Sequence, residues 1–90
     1  MIVNSSLDVV SICLPHYLHG TVSIEAMKAK KHVLTEKPIA VGLKEADKMI
    51  KTSKEMDVQL WVSQEHRYAC HIQFAKRCIE KGMIGKLCLL

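Results

Sequence analysis

The sequence is short of the residues that build several common kinds of site. Its four cysteines form no C-x-x-C pair, which argues against a structural zinc site and against a disulfide framework. Aromatic residues make up only 4% of the chain, so its net charge of +4 comes without the rings on which nucleic-acid bases stack. We therefore expect no metal and no nucleic-acid partner, with a basic nucleic-acid binder kept as the weakest alternative.

Long apolar runs are also missing. None comes near the ~20 residues that span a bilayer, and the first residues lack the basic stretch and apolar core of a signal peptide. These absences predict a cytoplasmic protein without a membrane partner. Ninety residues allow one domain at most, and a composition of 49% hydrophobic and 24% charged residues is ordinary for a globular chain.

Four apolar stretches are typical of buried strands. They cover residues 7–14, 32–35, 58–63 and 86–90. Cys13, Cys88 and Trp61 lie within them, so we expect these three side chains in the core.

Helical spacing of apolar residues connects these strands. It predicts helices over residues 21–31, 43–56 and 69–81, with residues 16–20 as a loop. The apolar face of the last helix, including Ile72 and Ile79, is expected to point inward. The order β-α-β-α-β-α-β predicts an α/β fold with a parallel sheet.

Three predicted strands end in polar residues. The first cluster contains Pro15, His16 and His19, the second Glu36, Lys37 and Pro38, and the third residues 64–67. The carboxyl ends of parallel strands share one edge of the sheet, where ligands bind in open α/β folds. The sequence therefore predicts one site built from three distant segments, although loops are commonly polar without being sites.

Taken singly, these residues allow simpler interpretations. Lys37 is held at a strand end by the following proline, yet it could only form a surface ion pair with Glu36. The spacing of His16 and His19 suits metal ligands, but without a third ligand nearby a hydrogen-bonding role is favoured. Arg67 could bind a carboxylate or phosphate, or pair with its neighbouring glutamate.

Four segments together resemble a known family. Residues 8–19 (DVVSICLPHYLH), 31–38 (KHVLTEKP), 66–68 (HRY) and 82–86 (GMIGK) match in order and spacing the glucose–fructose oxidoreductase and myo-inositol dehydrogenase family, Gfo/Idh/MocA. The Glu-Lys-Pro turn after the His-Val-Leu strand is its most specific feature. The resemblance runs from about residue 7 to the last residue.

The resemblance implies an NAD- or NADP-dependent oxidoreductase with a partial Rossmann fold, acting on a sugar or polyol. It implies that Lys37 is catalytic, near the nicotinamide and the substrate carbon. The residues that it implies at the cofactor are Pro15, His16, His19, Glu36, Lys37, Pro38 and Arg67. The family often has asparagine at positions 16 and 66, where this chain has histidine.

The family's Gly-rich phosphate turn has no counterpart here, since no G-x-G-x-x-G occurs. We therefore expect residues 1–90 to be the C-terminal half of an NAD(P)-binding Rossmann-like domain, without its Gly-rich half and without the substrate domain. Alone, the chain is expected to bind the cofactor weakly or not at all and to be inactive. We also expect it to self-associate as a dimer or larger assembly, including a swapped one. The alternative is a non-catalytic, self-assembling α/β module.

Overall fold

The computed structural model describes residues 6–88, in which strands and helices alternate. The elements are β1 (Val9–Ile12), α1 (His16–Lys28), β2 (His32–Thr35), α2 (Leu43–Met56), β3 (Leu60–Val62), a short 3-10 helix (Glu65–Tyr68) and α3 (Cys70–Glu80). The predicted α/β class is confirmed. None of the helices within residues 6–88 combines the length and the apolar character that crossing a bilayer requires.

The three strands form a parallel sheet in the order β1-β2-β3. In its register Val10 lies beside Val33, and Val33 lies beside Leu60. The fourth predicted strand is wrong for residues 86–88, which have no regular structure, and residues 89–90 lie outside the described part of the chain.

The core lies between one face of the sheet and the helices α1 and α2. Strand side chains alternate between faces, so Ile12 and Val33 are buried against this layer, where Met27 and Met49 are fully enclosed. The other face of the sheet is largely exposed. Trp61 lies on it with 46% of its surface accessible, so its predicted place in the core is wrong.

Helix α1 begins five residues earlier than its apolar spacing predicts. The prediction of a loop at residues 16–20 is wrong, because the helix starts at His16 directly after Pro15. The early turns bury His19 and Gly20, which are not apolar, and this is why hydrophobic periodicity does not reveal them. Gly20 packs so closely on the Glu45 side chain of α2 that a β-carbon there would collide with it.

The ends of the other helices follow the sequence signals. Helix α2 ends at Met56 and is capped by Asp57, which takes a left-handed conformation (φ 53°). Lys30 Nζ donates a 2.7 Å hydrogen bond to the carbonyl of Met56. Gly82 adopts φ 67° just beyond α3, where glycine is favoured.

Helix α3 does not return to the sheet. Within the described chain it packs on the 3-10 helix, so the predicted inward face is wrong: Ile72 and Ile79 are exposed. An amphipathic pattern specifies an apolar face without specifying what covers it. Cys13 and Cys88 are also exposed, contrary to the prediction from their apolar surroundings.

Candidate functional site

The second polar cluster follows β2 at the carboxyl edge of the sheet. The Glu36 backbone N–H donates a 3.0 Å hydrogen bond to the carbonyl of Ile12 at the end of β1. Beyond this bond the chain leaves the sheet through Lys37 and Pro38, joined by a cis peptide bond. Glu36 is half-buried, whereas Lys37 and Pro38 are exposed. No ion pair joins Glu36 to Lys37 in the described chain, so the simple surface pair is not what holds the lysine.

The structure divides the first cluster. Pro15 and His16 are exposed where β1 gives way to α1, whereas His19 is completely buried one turn further along the helix. Its ring approaches that of His16 edge-on, with centroids 5.5 Å apart. The favoured hydrogen-bonding role is confirmed for His19, but its ring lies behind the surface instead of along an open groove.

The third cluster forms the 3-10 helix beyond β3. The Ser63 backbone N–H donates a 2.8 Å hydrogen bond to the carbonyl of Thr35, which ties the end of β3 to the end of β2. The Ser63 hydroxyl lies 3.4 Å from Glu65 Oε2, and His66 Nε2 lies 3.6 Å from Glu65 Oε1. The side chain of Arg67 is exposed and forms no ion pair with another described residue.

Charges from the second and third clusters both act on Glu65. A hydrogen bond from its own backbone N–H is the largest cause that lowers the pKa of this carboxyl below its ordinary value. Loss of hydration opposes the change, while electrostatic interactions with His66 and Lys37, and the Ser63 hydroxyl, lower the pKa further. The Lys37 charge thus acts on a carboxyl that lies more than twenty-five positions away in the sequence.

We expect Lys37→Met to raise the pKa of Glu65 towards its ordinary value, because the substitution removes a positive charge that favours the carboxylate. Carbon-detected NMR of the glutamate carboxyls across a pH series measures the midpoint of the Glu65 titration, which gives its pKa. Lys51→Met is the matched control, since the Lys51 ammonium lies 3.7 Å from Glu55 and does not act on Glu65. An unchanged midpoint of the Glu65 titration in Lys37→Met would show that the Lys37 charge does not act on Glu65, so that the second and third clusters are electrostatically independent.

The chemistry of this edge suits a polar organic ligand better than a metal. Residues 6–88 contain no group of three or more histidine, cysteine or acidic side chains able to hold an ion. Instead the edge offers a half-buried carboxylate at Glu36, which accepts hydrogen bonds from hydroxyl groups, beside the exposed Lys37 ammonium, which donates them. Such a pair of groups can bind the hydroxyl and carbonyl groups of a polar organic ligand.

A cavity of about 460 Å³ opens elsewhere, between α1 and α2. Its lining residues are Thr21, Ile24, Glu25, Lys28, Lys44, Glu45 and Lys48. None of the predicted site residues lines it, and its walls are mostly long charged side chains on helix surfaces. We therefore assign the site to the carboxyl edge of the sheet.

Sequence reasoning missed one member of this edge. Glu65 was placed in the third polar cluster without a function, although both Lys37 and His66 act on the pKa of its carboxyl. The signal available was its position two residues after Ser63 at the end of a parallel strand. The 3-10 helix that begins at Glu65 has no comparable signature in the sequence.

Known proteins resemble the chain over nearly its whole length. Myo-inositol 2-dehydrogenase of Thermotoga maritima is 35% identical over 86 residues, which are 96% of this chain and 26% of that protein. The 2,7-anhydro-N-acetylneuraminate hydratase of Escherichia coli is 37% identical over 96% of this chain and 23% of its own length. The chain thus spans about a quarter of the curated relatives it matches.

Solved structures agree with the sequence relatives. The WlbA dehydrogenase of Bordetella pertussis, in complex with NADH and UDP-GlcNAcA, superposes with a TM-score of 0.80 at 31% identity, over 96% of this chain and 27% of that one. The family described as an oxidoreductase family with an NAD-binding Rossmann fold, GFO_IDH_MocA, matches residues 1–64. The chain belongs to this family of oxidoreductases.

Proposed function

We propose that residues 1–90 are part of a longer enzyme that transfers hydride between NAD or NADP and a sugar or polyol. The observation that carries this proposal is the exposed Lys37 at the carboxyl edge of β2, beside the half-buried carboxylate of Glu36, in a chain of an NAD-binding family. A dehydrogenase of a polyol and a dehydrogenase with a sugar nucleotide bound are among its relatives.

Each proposed role follows from the chemistry of a side chain. The Lys37 ammonium donates a hydrogen bond to the reacting oxygen of the substrate, where it stabilises the developing alkoxide or, once it has released a proton to solvent, takes the hydroxyl proton. Glu36 accepts hydrogen bonds from ribose hydroxyls. Pro15, His16, Pro38 and Arg67 border the same exposed edge. When bound, the nicotinamide supplies or accepts the hydride.

The segment alone is proposed to be inactive and to bind the dinucleotide weakly. A pyrophosphate needs the N-terminus of a helix and the close backbone approach that glycines permit. The four glycines of this chain are Gly20, Gly42, Gly82 and Gly85, and none forms that pattern. A Gly-rich half and a substrate domain would therefore have to come from other parts of the enzyme, which we propose to be cytoplasmic.

The test is net redox chemistry by the complete protein that carries this segment. Purified protein, NAD or NADP and a panel of cyclic polyols and sugars should give new absorbance at 340 nm from the reduced nicotinamide. A hydratase among the relatives makes net reduction the decisive readout. Conversion of a substrate without net formation of reduced cofactor would contradict hydride transfer as the overall reaction.

The alternative, a self-assembling module without catalysis, is supported by the uncovered face of the sheet. Val9, Leu34 and Trp61 project from neighbouring strands and are 49%, 38% and 46% exposed. Strand β1 is also an edge strand of the described sheet. Both features favour association with a second copy, including a swapped one, whether or not the chain is part of an enzyme.

We expect residues 1–90 to form dimers or larger assemblies at high concentration, as measured by multi-angle light scattering. Leu34→Lys should shift the protein towards monomer, because it introduces a charge into the exposed apolar face. Ile50→Lys is the control, since Ile50 is 44% exposed on α2. A stable monomer of the unaltered chain over the whole concentration range would end this proposal.

A further inference from the structure

The buried ring of His19 links the ends of two strands. Its Nδ1 lies 2.7 Å from the carbonyl oxygen of Pro38, and its Nε2 lies 2.8 Å from the carbonyl oxygen of Leu14. Leu14 follows β1, whereas Pro38 closes the turn that follows β2. One side chain on α1 therefore joins the backbones on both sides of the polar edge.

Imidazole is suited to this position because its two nitrogens lie on opposite sides of a rigid ring. Carbonyl oxygens only accept hydrogen bonds, so each contact calls for an N–H on the ring. An uncharged ring donates to one carbonyl and leaves its other nitrogen facing an acceptor, whereas the imidazolium donates to both. An asparagine or glutamine carries both donors on a single nitrogen and cannot span the two carbonyls in the same way.

The turn has few other constraints in the described chain. Pro38 has no N–H to donate, and neither Lys37 nor Pro38 takes part in the sheet ladder, which ends at Thr35. The neighbouring backbone contact is the bond from the Glu36 N–H to Ile12. The contact between His19 and Pro38 is thus a second attachment of the turn. It follows Lys37 in the chain, whereas the bond from Glu36 precedes it.

We propose that His19 is a positioning residue that fixes the Glu36–Lys37–Pro38 turn against the end of β1 and so holds the Lys37 side chain at the sheet edge. The attachment rests on geometry within this chain. Only the role of Lys37 in catalysis rests on the proposed function. The pKa of Glu65, which the Lys37 charge lowers, reports the placement of Lys37 without any catalytic assay.

The experiment compares His19→Ala with Tyr17→Ala in the 90-residue chain, using the NMR titration of the Glu65 carboxyl as readout. Tyr17 is the matched control, because it lies on the same helix and is 68% exposed. Loosening the turn should change the position of the Lys37 charge, so His19→Ala should shift the Glu65 midpoint upward, as is expected for Lys37→Met. Tyr17→Ala should leave the midpoint unchanged. A folded His19→Ala variant with an unshifted midpoint overturns the proposal.

A second measurement keeps the proposal testable where His19→Ala does not fold. Nitrogen-15 spectra of the unaltered chain should show a His19 ring N–H that exchanges slowly with water and carries a coupling across its hydrogen bond to Leu14 or Pro38. The exposed His16 ring should show no such proton. A His19 ring N–H that exchanges as fast as that of His16 would mean that the ring does not hold the turn.

Discussion

Lys37→Met in the complete enzyme is expected to lower kcat by about two orders of magnitude or more, with folding nearly intact. Methionine keeps much of the length of the side chain but neither donates a hydrogen bond nor carries charge. Lys37 is exposed and forms no ion pair with another described residue, so its removal costs the fold little. Steady-state kinetics and thermal unfolding of the same preparation measure both effects.

The matched control is Lys51→Met, which removes an equivalent charge from the exposed side of α2, where the lysine pairs with Glu55 at 3.7 Å. Its kcat should equal that of the unaltered enzyme, because Lys51 lies on α2 and not at the sheet edge. Its stability should change little, because exposed pairs of this kind contribute about 0–1 kcal/mol. A change of less than a few-fold in Lys37→Met, or a loss of activity explained by unfolding, would make Lys37 a structural residue and remove it from the site.

Met27→Ala is expected to be the most damaging of the core substitutions. The side chain is completely enclosed between α1, α2 and the sheet, so truncation leaves a cavity that costs about 2–5 kcal/mol. Small domains have a free energy of unfolding of about 5–15 kcal/mol in total. The variant should therefore lose a large part of its resistance to urea, measured by circular dichroism.

Met83→Ala provides the comparison for this loss, because 67% of the Met83 surface is exposed beyond α3. Its urea midpoint should stay close to that of the unaltered chain. If the two methionine variants unfold at the same urea concentration, Met27 does not lie in a packed core, and the assignment of the core to the α1–α2 layer is wrong.

The sequence predicted correctly those parts of the fold that have a local signal in the sequence. Strand His32–Thr35 and helix Leu43–Met56 have the predicted bounds, because Pro38 and the apolar spacing of α2 define them within a few residues. The start of α1 was missed because His19 and Gly20 are buried without being apolar. The path of α3 was missed because its amphipathic pattern carries no information about its partner.

The sequence predicted the position of the candidate site, at the carboxyl edge of the sheet, better than it predicted the contacts within the site. Parallel strands gather their carboxyl ends at one edge, which is why Lys37 and the residues after β3 could be assigned to one site from topology. The burial of His19 depends on the first turns of α1, and the position of Glu65 depends on the 3-10 helix. Tertiary packing determines both, and sequence periodicity does not describe it.

Titration with NADH tests the central claim most directly, that this chain is one part of a nicotinamide-binding enzyme. The complete protein and the 90-residue segment are titrated side by side, following the fluorescence of the reduced cofactor. We predict micromolar binding by the complete protein and binding at least about 100-fold weaker by the segment, a difference of ~2.7 kcal/mol, because the segment contains no Gly-rich turn to hold the pyrophosphate. Micromolar binding by the segment alone, or none by the complete protein, would contradict the account.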